Sequence, residues 1–389
     1  MFSPLCSRRS EVDDVLEIRS LVKSFAHVPV INGVDFVVSE KSFTVVCGEP
    51  GNGKSVLARL ICGLEEPDQG QVLLDGKDIT GVAPGARGIG YVPQSFALFP
   101  QYSVEANIGY PLRVAREAKA AVSGKVGDVA AMLGVQDILH KRVDQISGGE
   151  KQRVAMARGL VRESALYILD DPLVGLDFKL REQLTEDLRL LQQNLGATFL
   201  YFTSEPLEAM ALADTVGILS GGRFVETADM PEAYLDPQHV QTALALGFPR
   251  ANKLTAKVTR NGTSTTLTTN FFAATLHNWQ ADVDNVDLIV RPEDLSLLPR
   301  EGMFHAAGDM ELIEDLGGES VVYIRGGEEA QLLTVTTGSD APELQGDIKG
   351  VWFDAHALMA FDPVTGQRIS GAVGGDLSLI HISEPTRPY

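Results

Sequence analysis

A glycine-rich octapeptide, GEPGNGKS, occupies residues 48 to 55 and matches the pattern G-x-x-x-x-G-K-S. It follows an apolar segment of strand length and precedes apolar residues at helical spacing. Glycines let backbone N–H groups wrap a phosphate, and the lysine and the serine add a charge and a metal ligand. A chance glycine-rich turn with a solvated lysine is the alternative. The pattern predicts that phosphates bind at Gly48, Glu49, Pro50, Gly51, Asn52, Gly53, Lys54 and Ser55.

An apolar segment that ends in two carboxylates runs from residue 166 to Asp171 and is followed by Pro172. At the end of a buried strand, Asp170 would support Mg²⁺ together with Ser55, and Asp171 would lie near an attacking water. By themselves the two aspartates could equally be a helix cap or a solvated turn beside Pro172. The phosphate loop makes the metal-and-water interpretation the stronger one.

A second glycine-containing turn, ISGGE, covers residues 146 to 150 and opens a predicted helix. At the positive end of a helix dipole, Ser147, Gly148 and Gly149 could present N–H groups and a hydroxyl to an anion. An ordinary N-cap by Ser147 is the alternative.

The elements around these motifs predict an α/β domain with a parallel sheet covered by helices. Apolar residues recur at helical spacing over residues 57 to 64 and 180 to 195, and a helical insert of roughly 100 to 160, introduced by FALFP at 96 to 100, separates these helices. Asn32 and Gly33 indicate a turn among the first strands. The predicted strands cover residues 43 to 47, 166 to 169, 199 to 203 and 216 to 219.

Short strands replace this alternation beyond about residue 245 and predict a smaller, OB-like β-barrel domain. We therefore expect a first domain at 15 to 245 and a second at 250 to 370. Residues 376 to 389 look like translated adapter sequence and are excluded as a probable non-native tail. The strands of the second domain are predicted at 256 to 259, 286 to 290, 321 to 324 and 332 to 335.

The composition excludes several classes of protein. A formal charge of -19 and a pI near 4.8 disfavour a nucleic-acid partner. No apolar run approaches the roughly 20 residues that span a bilayer, and the N-terminal residues do not resemble a signal peptide. Cys6, Cys47 and Cys62 lack metal-binding spacing, so we expect reduced thiols, with the latter two packed in the core.

With these motifs in this order, residues 15 to 245 resemble the ATPase subunits of ABC importers. The resemblance implies an enzyme that binds ATP and Mg²⁺. It also implies that Phe25 stacks on adenine, that Gln94 lies near Mg²⁺ and the membrane subunit, and that residues 174 to 177 (VGLD) form the D-loop. Taken singly, Phe25 could be a core residue, Gln94 a polar strand end and Asp177 a helix cap.

The second domain resembles the accessory domain of importers for sugars, polyols, polyamines or anions, through VRPED at 290 to 294 and FDPVTG at 361 to 366. The resemblance of the first domain to ABC ATPases implies that two nucleotide domains enclose two ATP molecules. Ser147, Gly148 and Gly149 would then contact the γ-phosphate of the nucleotide bound to the opposite subunit. Implied partners are a second ATPase subunit, two transmembrane permease subunits and, indirectly, an extracytoplasmic solute-binding protein, with no nucleic acid. The chain is then peripheral, on the cytoplasmic face of a bacterial inner membrane, and energises import of a carbohydrate or polyol, with polyamine or inorganic anion as alternatives.

Three positions depart from the family pattern. Ser204 stands where a histidine is expected, Asp171 where a catalytic glutamate is expected, and Glu150 where a glutamine is expected. A carboxylate one methylene shorter and a hydroxyl in place of an imidazole predict slow hydrolysis, with Asp171, Gln94 and Ser204 as the catalytic group. Ser204 could instead cap the helix that follows it. Pairing with a different, intact ATPase subunit, or a regulatory role with poor catalysis, would accommodate these departures.

Overall fold

The computed structural model describes residues 14–261, 264–277, 279, 282–299, 302–327, 330–339 and 348–369. The chain divides into two compact units, residues 1–230 and 231–389. Cys6 and the tail at 376 to 389 lie outside the described residues. In the described part, no helix is long and apolar enough to cross a membrane.

The described residues of the first unit, 14 to 230, form ten strands and the first helices of the chain. The strands are β1 (Asp14–Phe25), β2 (Val28–Ser39), β3 (Phe43–Cys47), β4 (Gln69–Leu74), β5 (Lys77–Asp78), β6 (Ile89–Val92), β7 (Leu166–Asp170), β8 (Thr198–Thr203), β9 (Thr215–Ser220) and β10 (Arg223–Asp229). The helices are α1 (Lys54–Cys62), α2 (Val104–Ile108), α3 (Tyr110–Val114), α4 (Lys119–Met132), α5 (Gly148–Leu160), α6 (Phe178–Leu195) and α7 (Pro206–Leu212), and α8 (Met230–Leu235) begins at the boundary.

A six-stranded sheet in the order β10-β9-β3-β8-β7-β6 forms the centre of the first unit, and only β10 runs antiparallel to its neighbour. Strands β3, β7 and β8 are buried along their whole length, as the strands of a parallel sheet covered on both faces must be. The phosphate loop and the Asp170–Asp171 pair follow the carboxyl ends of β3 and β7, so the sheet brings them to one edge. The predicted α/β fold is confirmed.

A second sheet, β2-β1-β4-β5, is antiparallel and corrects one prediction. Asn32 and Gly33 form no turn but lie inside β2, where the pairing register with β1 shifts at a β-bulge and Gly33 has φ 69°. The hairpin turn falls at Ala26 and His27, both with positive φ, between Phe25 and its partner Val28. No glycine marks this turn, so no local signal for it could be read from the residues.

The helical insert also begins later than predicted. Residues 96 to 100 are a loop, and the first helix starts at Val104 with the Ser103 hydroxyl as its N-cap. The buried Asn107 side chain fixes the loop, because its Oδ1 accepts from the Phe99 N–H at 2.8 Å and its Nδ2 donates to the Phe99 carbonyl at 3.2 Å. Ala97 has φ 48°, which a helix does not accommodate.

The second unit places two five-stranded antiparallel sheets, β13-β12-β11-β14-β20 and β15-β19-β16-β17-β18, around one apolar core, which confirms the predicted OB-like β domain. It also contains α9 (Val240–Ala245). Its strands are β11 (Asn252–Asn261), β12 (Ser264–Thr268), β13 (Ala273–His277), β14 (Asn285–Val290), β15 (Leu295–Ser296), β16 (Phe304–Asp315), β17 (Glu319–Gly326), β18 (Gln331–Gly338), β19 (Gly350–Phe353) and β20 (Met359–Phe361).

A buried arginine anchors the helices of the second unit to its β domain. Arg291, within the VRPED sequence, donates to the main-chain carbonyls of Leu246 at 2.8 Å and of Tyr234, and its guanidinium lies 3.7 Å from the centroid of the Tyr234 ring. The sequence placed the domain boundary between 245 and 250, whereas the compact units meet at 230 and 231. Residues 231 to 246 belong to the second unit through contacts such as those of Arg291.

Arg291→Met is expected to destabilise the chain by about 2 to 3 kcal/mol, because two inward-facing carbonyls lose a charged donor. Thermal unfolding measures the loss. The matched control is Arg325→Met in the same unit, which removes an exposed ion pair with Glu311 and is expected to cost under about 1 kcal/mol. Equal losses in the two variants would contradict the anchoring role of Arg291.

Candidate functional site

The phosphate loop, residues 48 to 55, joins β3 to α1 and requires its glycines. A Cβ on Gly48 would lie 2.4 Å from the Leu219 carbonyl oxygen, which no side chain allows. Gly51 and Gly53 have φ of 89° and 96°, conformations that glycine adopts without strain. The loop therefore turns tightly into α1, so its N–H groups stand at the positive end of the helix dipole.

Lys54 is buried inside this loop. Its Nζ donates to the main-chain carbonyls of Gly48 at 2.7 Å and Glu49 at 3.1 Å. Burial lowers the pKa of the Lys54 ammonium, and the charges of Asp171 and Asp170 oppose this shift. The ammonium is thus already desolvated and close to two carboxylates, where an incoming phosphate oxygen could replace its carbonyl partners.

Asp170 ends β7 with its carboxylate buried and held by two hydroxyls. Ser55 Oγ donates to Oδ1 at 2.8 Å, and the Tyr91 hydroxyl donates to Oδ2 at 3.3 Å. Burial raises the pKa of Asp170, and these two hydrogen bonds oppose the shift. A carboxylate beside a serine hydroxyl is a hard-oxygen donor set of the kind that Mg²⁺ prefers. Tyr91 was missed because its strand, β6, reads as ordinary apolar sequence.

Asp171 follows in a left-handed conformation, with φ 47°, and its N–H donates to the Phe202 carbonyl of β8 at 2.8 Å. Gln94 Nε2 donates to Asp171 Oδ2 at 3.3 Å, so two of the predicted site residues from different loops are in contact. Burial raises the pKa of Asp171, while the Lys54 ammonium opposes the shift. A carboxylate with a raised pKa at the edge of a cleft is suited to orient water or hold a proton.

A cleft of 410 Å³ gathers half of the predicted site residues. It is lined by five residues of the phosphate loop, by Gln94, Asp171 and Ser204, and by apolar side chains, whereas Gly48, Glu49, Asn52 and Asp170 are not among its lining residues. Its lining residues are Val30, Pro50, Gly51, Gly53, Lys54, Ser55, Val56, Gln94, Asp171, Val174 and Ser204.

Phe25 is not among the lining residues of this cleft. It ends β1 with its side chain 42% exposed, and Lys23 Nζ lies 5.4 Å from the ring centroid. The alternative that Phe25 is a core residue is therefore wrong. An exposed aromatic ring at the end of a strand is free to stack on a planar ligand.

Ser147 caps α5, and Glu150 completes a capping box with it. The Glu150 N–H donates to Ser147 Oγ at 3.3 Å, and the Ser147 N–H donates to Glu150 Oε2 at 2.7 Å. This last hydrogen bond is the main cause of the lowered pKa of Glu150. Ser147 and Gly148 are exposed, and apart from its chain neighbours and the backbone of α5 no described atom lies within 4 Å of a Cβ built on Gly148. The N-cap alternative is correct, and the turn still presents an open surface.

Ser204 does not cap the helix that follows it. Helix α7 begins at Pro206, its N-cap is Glu205, and no side chain makes the capping bond. The Glu205 N–H instead donates to the Thr203 hydroxyl at 3.0 Å, so the preceding threonine fixes this turn and leaves Ser204 facing the cleft. Asp177, by contrast, caps α6, because its Oδ1 accepts from the Leu180 N–H at 3.0 Å.

Cys47 and Cys62 are both buried, as predicted for packing residues. Burial raises the pKa of the Cys47 thiol to about 11, so this group stays protonated at neutral pH beside the phosphate loop. Cys47 and Cys62 are packing residues.

Asp171→Asn is expected to stabilise the nucleotide-free chain at neutral pH. The pKa of the Asp171 carboxyl is raised above its ordinary 3.8 in the folded chain. The protonated carboxyl therefore contributes to the free energy of unfolding below about pH 3.8, and this contribution is lost as pH rises through the raised pKa. Asparagine removes the buried charge and tolerates positive φ. Thermal unfolding at neutral pH and near pH 4 should show a higher midpoint for the variant only at neutral pH. The exposed Asp128→Asn is the control and should leave the midpoint at neutral pH almost unchanged, and a lower midpoint for Asp171→Asn at neutral pH would contradict the prediction.

Comparison with known proteins identifies the fold and then the family. The ABC transporter family model matches residues 31–174, and the TOBE domain model matches residues 288–361. Two solved structures share the fold of the first unit. One is cbiO1 of Clostridium perfringens, with 25% identity, a TM-score of 0.54 and coverage of 58% of this chain and 92% of the other. The other is a dimeric ATP-binding cassette in a post-hydrolysis state bound to ADP and Pi, with 24% identity, a TM-score of 0.51 and coverage of 55% and 98%. These likenesses define a P-loop ATPase of the ATP-binding cassette class.

Similarity to curated proteins extends over both units. The sn-glycerol-3-phosphate import ATP-binding protein UgpC of Cereibacter sphaeroides is 35% identical over 357 residues, which is 91% of this chain and 99% of the relative. The protein of the same name from Bordetella avium is 34% identical and covers 92% and 99%. The chain therefore belongs to the family of ABC transporter ATP-binding proteins of the importer type, and it is an ATPase that binds ATP.

Proposed function

We propose that this chain energises import of a small polyol phosphate, with sn-glycerol-3-phosphate as the first candidate. The full-length similarity to two import ATP-binding proteins of that name supports this substrate. The observation that carries the ATPase role is one cleft that holds Lys54, Ser55, Gln94, Asp171 and Ser204 together. The alternative of a regulatory subunit with poor catalysis is not favoured, because the similarity to import ATP-binding proteins covers both units.

The loop residues 48 to 55 bind the phosphates in this proposal. Their N–H groups wrap the phosphate oxygens, and Lys54 exchanges its carbonyl partners for oxygens of the outer phosphates. Phe25, exposed at the end of β1, stacks on the adenine ring. The binding energy then comes from groups that the fold has already placed.

Ser55, Asp170 and Gln94 would hold Mg²⁺, since a carboxylate, a hydroxyl and an amide oxygen match its preference for hard ligands. When bound, this ion neutralises charge on the phosphates. Gln94 and the Phe202 carbonyl hold Asp171 at the cleft, where its carboxylate orients the attacking water and takes up its proton. Ser204 contributes a hydroxyl to the same cleft and contacts the γ-phosphate more weakly than a histidine would.

A second ATPase subunit completes each site. Ser147, Gly148 and Gly149, at the N-terminus of α5, would bind the γ-phosphate of the nucleotide on the opposite subunit. Glu150 adds a negative charge near that phosphate, although its carboxylate is engaged by the Ser147 N–H. This second subunit is either another copy of this chain or a different ATPase.

Two permease subunits would bind an aromatic surface formed by Phe99, Tyr102 and Tyr110. The Phe99 ring centroid lies 5.4 Å from that of Tyr102 and 4.7 Å from that of Tyr110, and both tyrosines are more than a third exposed. The Arg158 guanidinium fixes the loop at residues 96 to 100 by donating to the carbonyls of Ala97 at 2.7 Å and Phe96 at 2.9 Å. This surface follows Gln94 in the chain, and Gln94 contacts Asp171, so a movement of the surface would be transmitted to Asp171. Binding to permease subunits would place the chain on the cytoplasmic face of the inner membrane. A solute-binding protein outside would deliver the substrate.

Transport by vesicles that contain the chain and its co-encoded permease subunits tests this function. With ATP on the side of the chain, uptake of sn-glycerol-3-phosphate should be observed, and a maltose, spermidine or sulfate control should not accumulate. The same vesicles carrying Lys54→Ala should be inactive. Uptake of another solute would contradict the substrate, and ATP-independent uptake would contradict the energising role.

A further inference from the structure

A polar cluster behind the cleft takes no part in the roles described above. It consists of Arg181 on α6, Glu205 before α7 and Glu208 on α7 and is called here the arginine cluster. Glu208 is 2% exposed, so its carboxylate is among the most deeply buried charges of the described residues. Buried ionisable groups are costly to retain unless they are paired.

The Arg181 guanidinium lies close to three partners, two in turns and one, Glu208, on α7. Its NH2 donates to the Leu176 carbonyl at 3.3 Å, in the turn before α6, and its NH1 lies 3.2 Å from Glu205 Oε2, in the turn after β8. Its Nε lies 3.8 Å from Glu208 Oε1, and neither of these two atoms has a hydrogen-bond partner among the described residues. One side chain therefore connects two turns that are distant in sequence.

Glu208 is itself fixed to β8. Its Oε2 accepts from the Tyr201 hydroxyl at 2.7 Å and from the Thr203 hydroxyl at 2.8 Å. The Thr203 hydroxyl also accepts from the Glu205 N–H at 3.0 Å, which sets the backbone on either side of Ser204. These two hydrogen bonds fix the Glu208 carboxylate, which lies beside Arg181, and Arg181 in turn contacts the turn before α6.

Both connected turns line the nucleotide cleft. Val174, from the turn that starts at Asp171, and Ser204 are lining residues. Val174 is 45% exposed and Phe178, at the start of α6, is 69% exposed, so this side of the unit is open to contact. A displacement of the turn by a bound subunit would pull on Arg181 and through it on Glu205.

We propose that Arg181 is a positioning residue that couples the turn at 172 to 177 to Ser204, so that contact at the turn adjusts the serine hydroxyl in the cleft. The coupling rests on the proposed function, since it regulates the hydrolytic site. An isolated exposed ion pair with Glu205 would contribute little, but the buried Glu208 and the Leu176 carbonyl make Arg181 part of a connected network.

A double-mutant cycle between Arg181 and Ser204 tests the coupling in the full-length chain. Single-turnover ATP hydrolysis is measured with enzyme in excess, and the ATP Kd is measured separately. Arg181→Met is expected to slow hydrolysis about tenfold with the Kd unchanged, and adding Ser204→Ala should slow it no further than the slower single variant. Arg181→Lys, which keeps the charge but not three partners, should be intermediate.

Arg189→Met is the matched control, because Arg189 lies on the same helix, is similarly exposed and contacts a carboxylate, Asp214, and the Leu212 carbonyl. It should leave the hydrolysis rate unchanged. Three outcomes would overturn the coupling while ATP binding persists. The rate losses of Arg181→Met and Ser204→Ala could multiply in the double variant, Arg181→Met could hydrolyse ATP at the unmodified rate, or Arg189→Met could lose as much of the rate as Arg181→Met. Failure of the unmodified chain to bind ATP would overturn the proposed function as well.

Discussion

Replacing Asp171 with glutamate and Ser204 with histidine in the same chain is expected to raise the rate of ATP hydrolysis by about a hundredfold. The glutamate carries its carboxylate one methylene further into the cleft, and the imidazole reaches beyond the serine hydroxyl. Both side chains start from positions that already line the cleft. Phosphate release under single-turnover conditions measures the change, because it registers slow rates in the unmodified chain.

The two single variants and Asp171→Asn are the controls for this experiment. Each single variant should give a partial gain, and Asp171→Asn, which removes the charge, should abolish turnover. Glutamate must adopt the φ of 47° found at residue 171, which disfavours residues other than Asn, Asp and Gly. A double variant that folds, binds ATP and hydrolyses it no faster than the unmodified chain would show that these two departures do not limit the rate.

Lys54→Ala is expected to lower turnover by at least about a hundredfold, since it removes a preorganised positive charge from the phosphate site. It also removes the two hydrogen bonds from Nζ to the Gly48 and Glu49 carbonyls, so the loop loses an internal tie. The ATP Kd should rise in parallel. Fluorescent-nucleotide titration and phosphate release measure the two effects.

Lys77→Ala is the control for Lys54→Ala, because Lys77 is an exposed lysine on β5 that does not line the cleft. It should leave both the Kd and the rate unchanged. Because burial lowers the pKa of Lys54, methionine at this position should be tolerated by the fold and still fail to bind ATP. Nucleotide affinity that survives in both Lys54 variants would contradict the assignment of the loop.

Local signals explain why so much of the first unit could be predicted. The strand at 43 to 47 is uniformly apolar because both faces are covered, and the glycines of the loop are required by positive φ and by the close approach of Leu219. These requirements act within a few residues, so they appear directly in the sequence. Asp170 was expected beside the loop because a parallel sheet brings the carboxyl ends of its strands together, whereas Gln94 was singled out only by the family resemblance.

Contacts between distant segments explain what the sequence did not show. Ser204 makes no capping bond at α7, and the turn is held instead by the Thr203 hydroxyl, which accepts from the Glu205 N–H and donates to the Glu208 carboxylate on the helix. Tyr91 and Arg181 also act through partners far along the chain. None of these pairings leaves a pattern in the sequence itself.

The second unit was the less predictable one. Strands at 264–268, 273–277 and 304–315 were not anticipated, because the first is rich in threonine and the last is largely exposed and contains Gly308. Here the fold comes from pairing across the sheets. The Asn252 side chain, for example, bonds both the N–H and the carbonyl of Thr334 on a strand of the other sheet, at 2.7 and 2.8 Å.

Single-turnover hydrolysis of ATP by the purified full-length chain, with Mg²⁺ and with EDTA, tests whether this chain is an ATPase. We expect saturable binding of ATP and slow phosphate release that requires Mg²⁺. Absence of saturable ATP binding under both conditions would contradict this expectation.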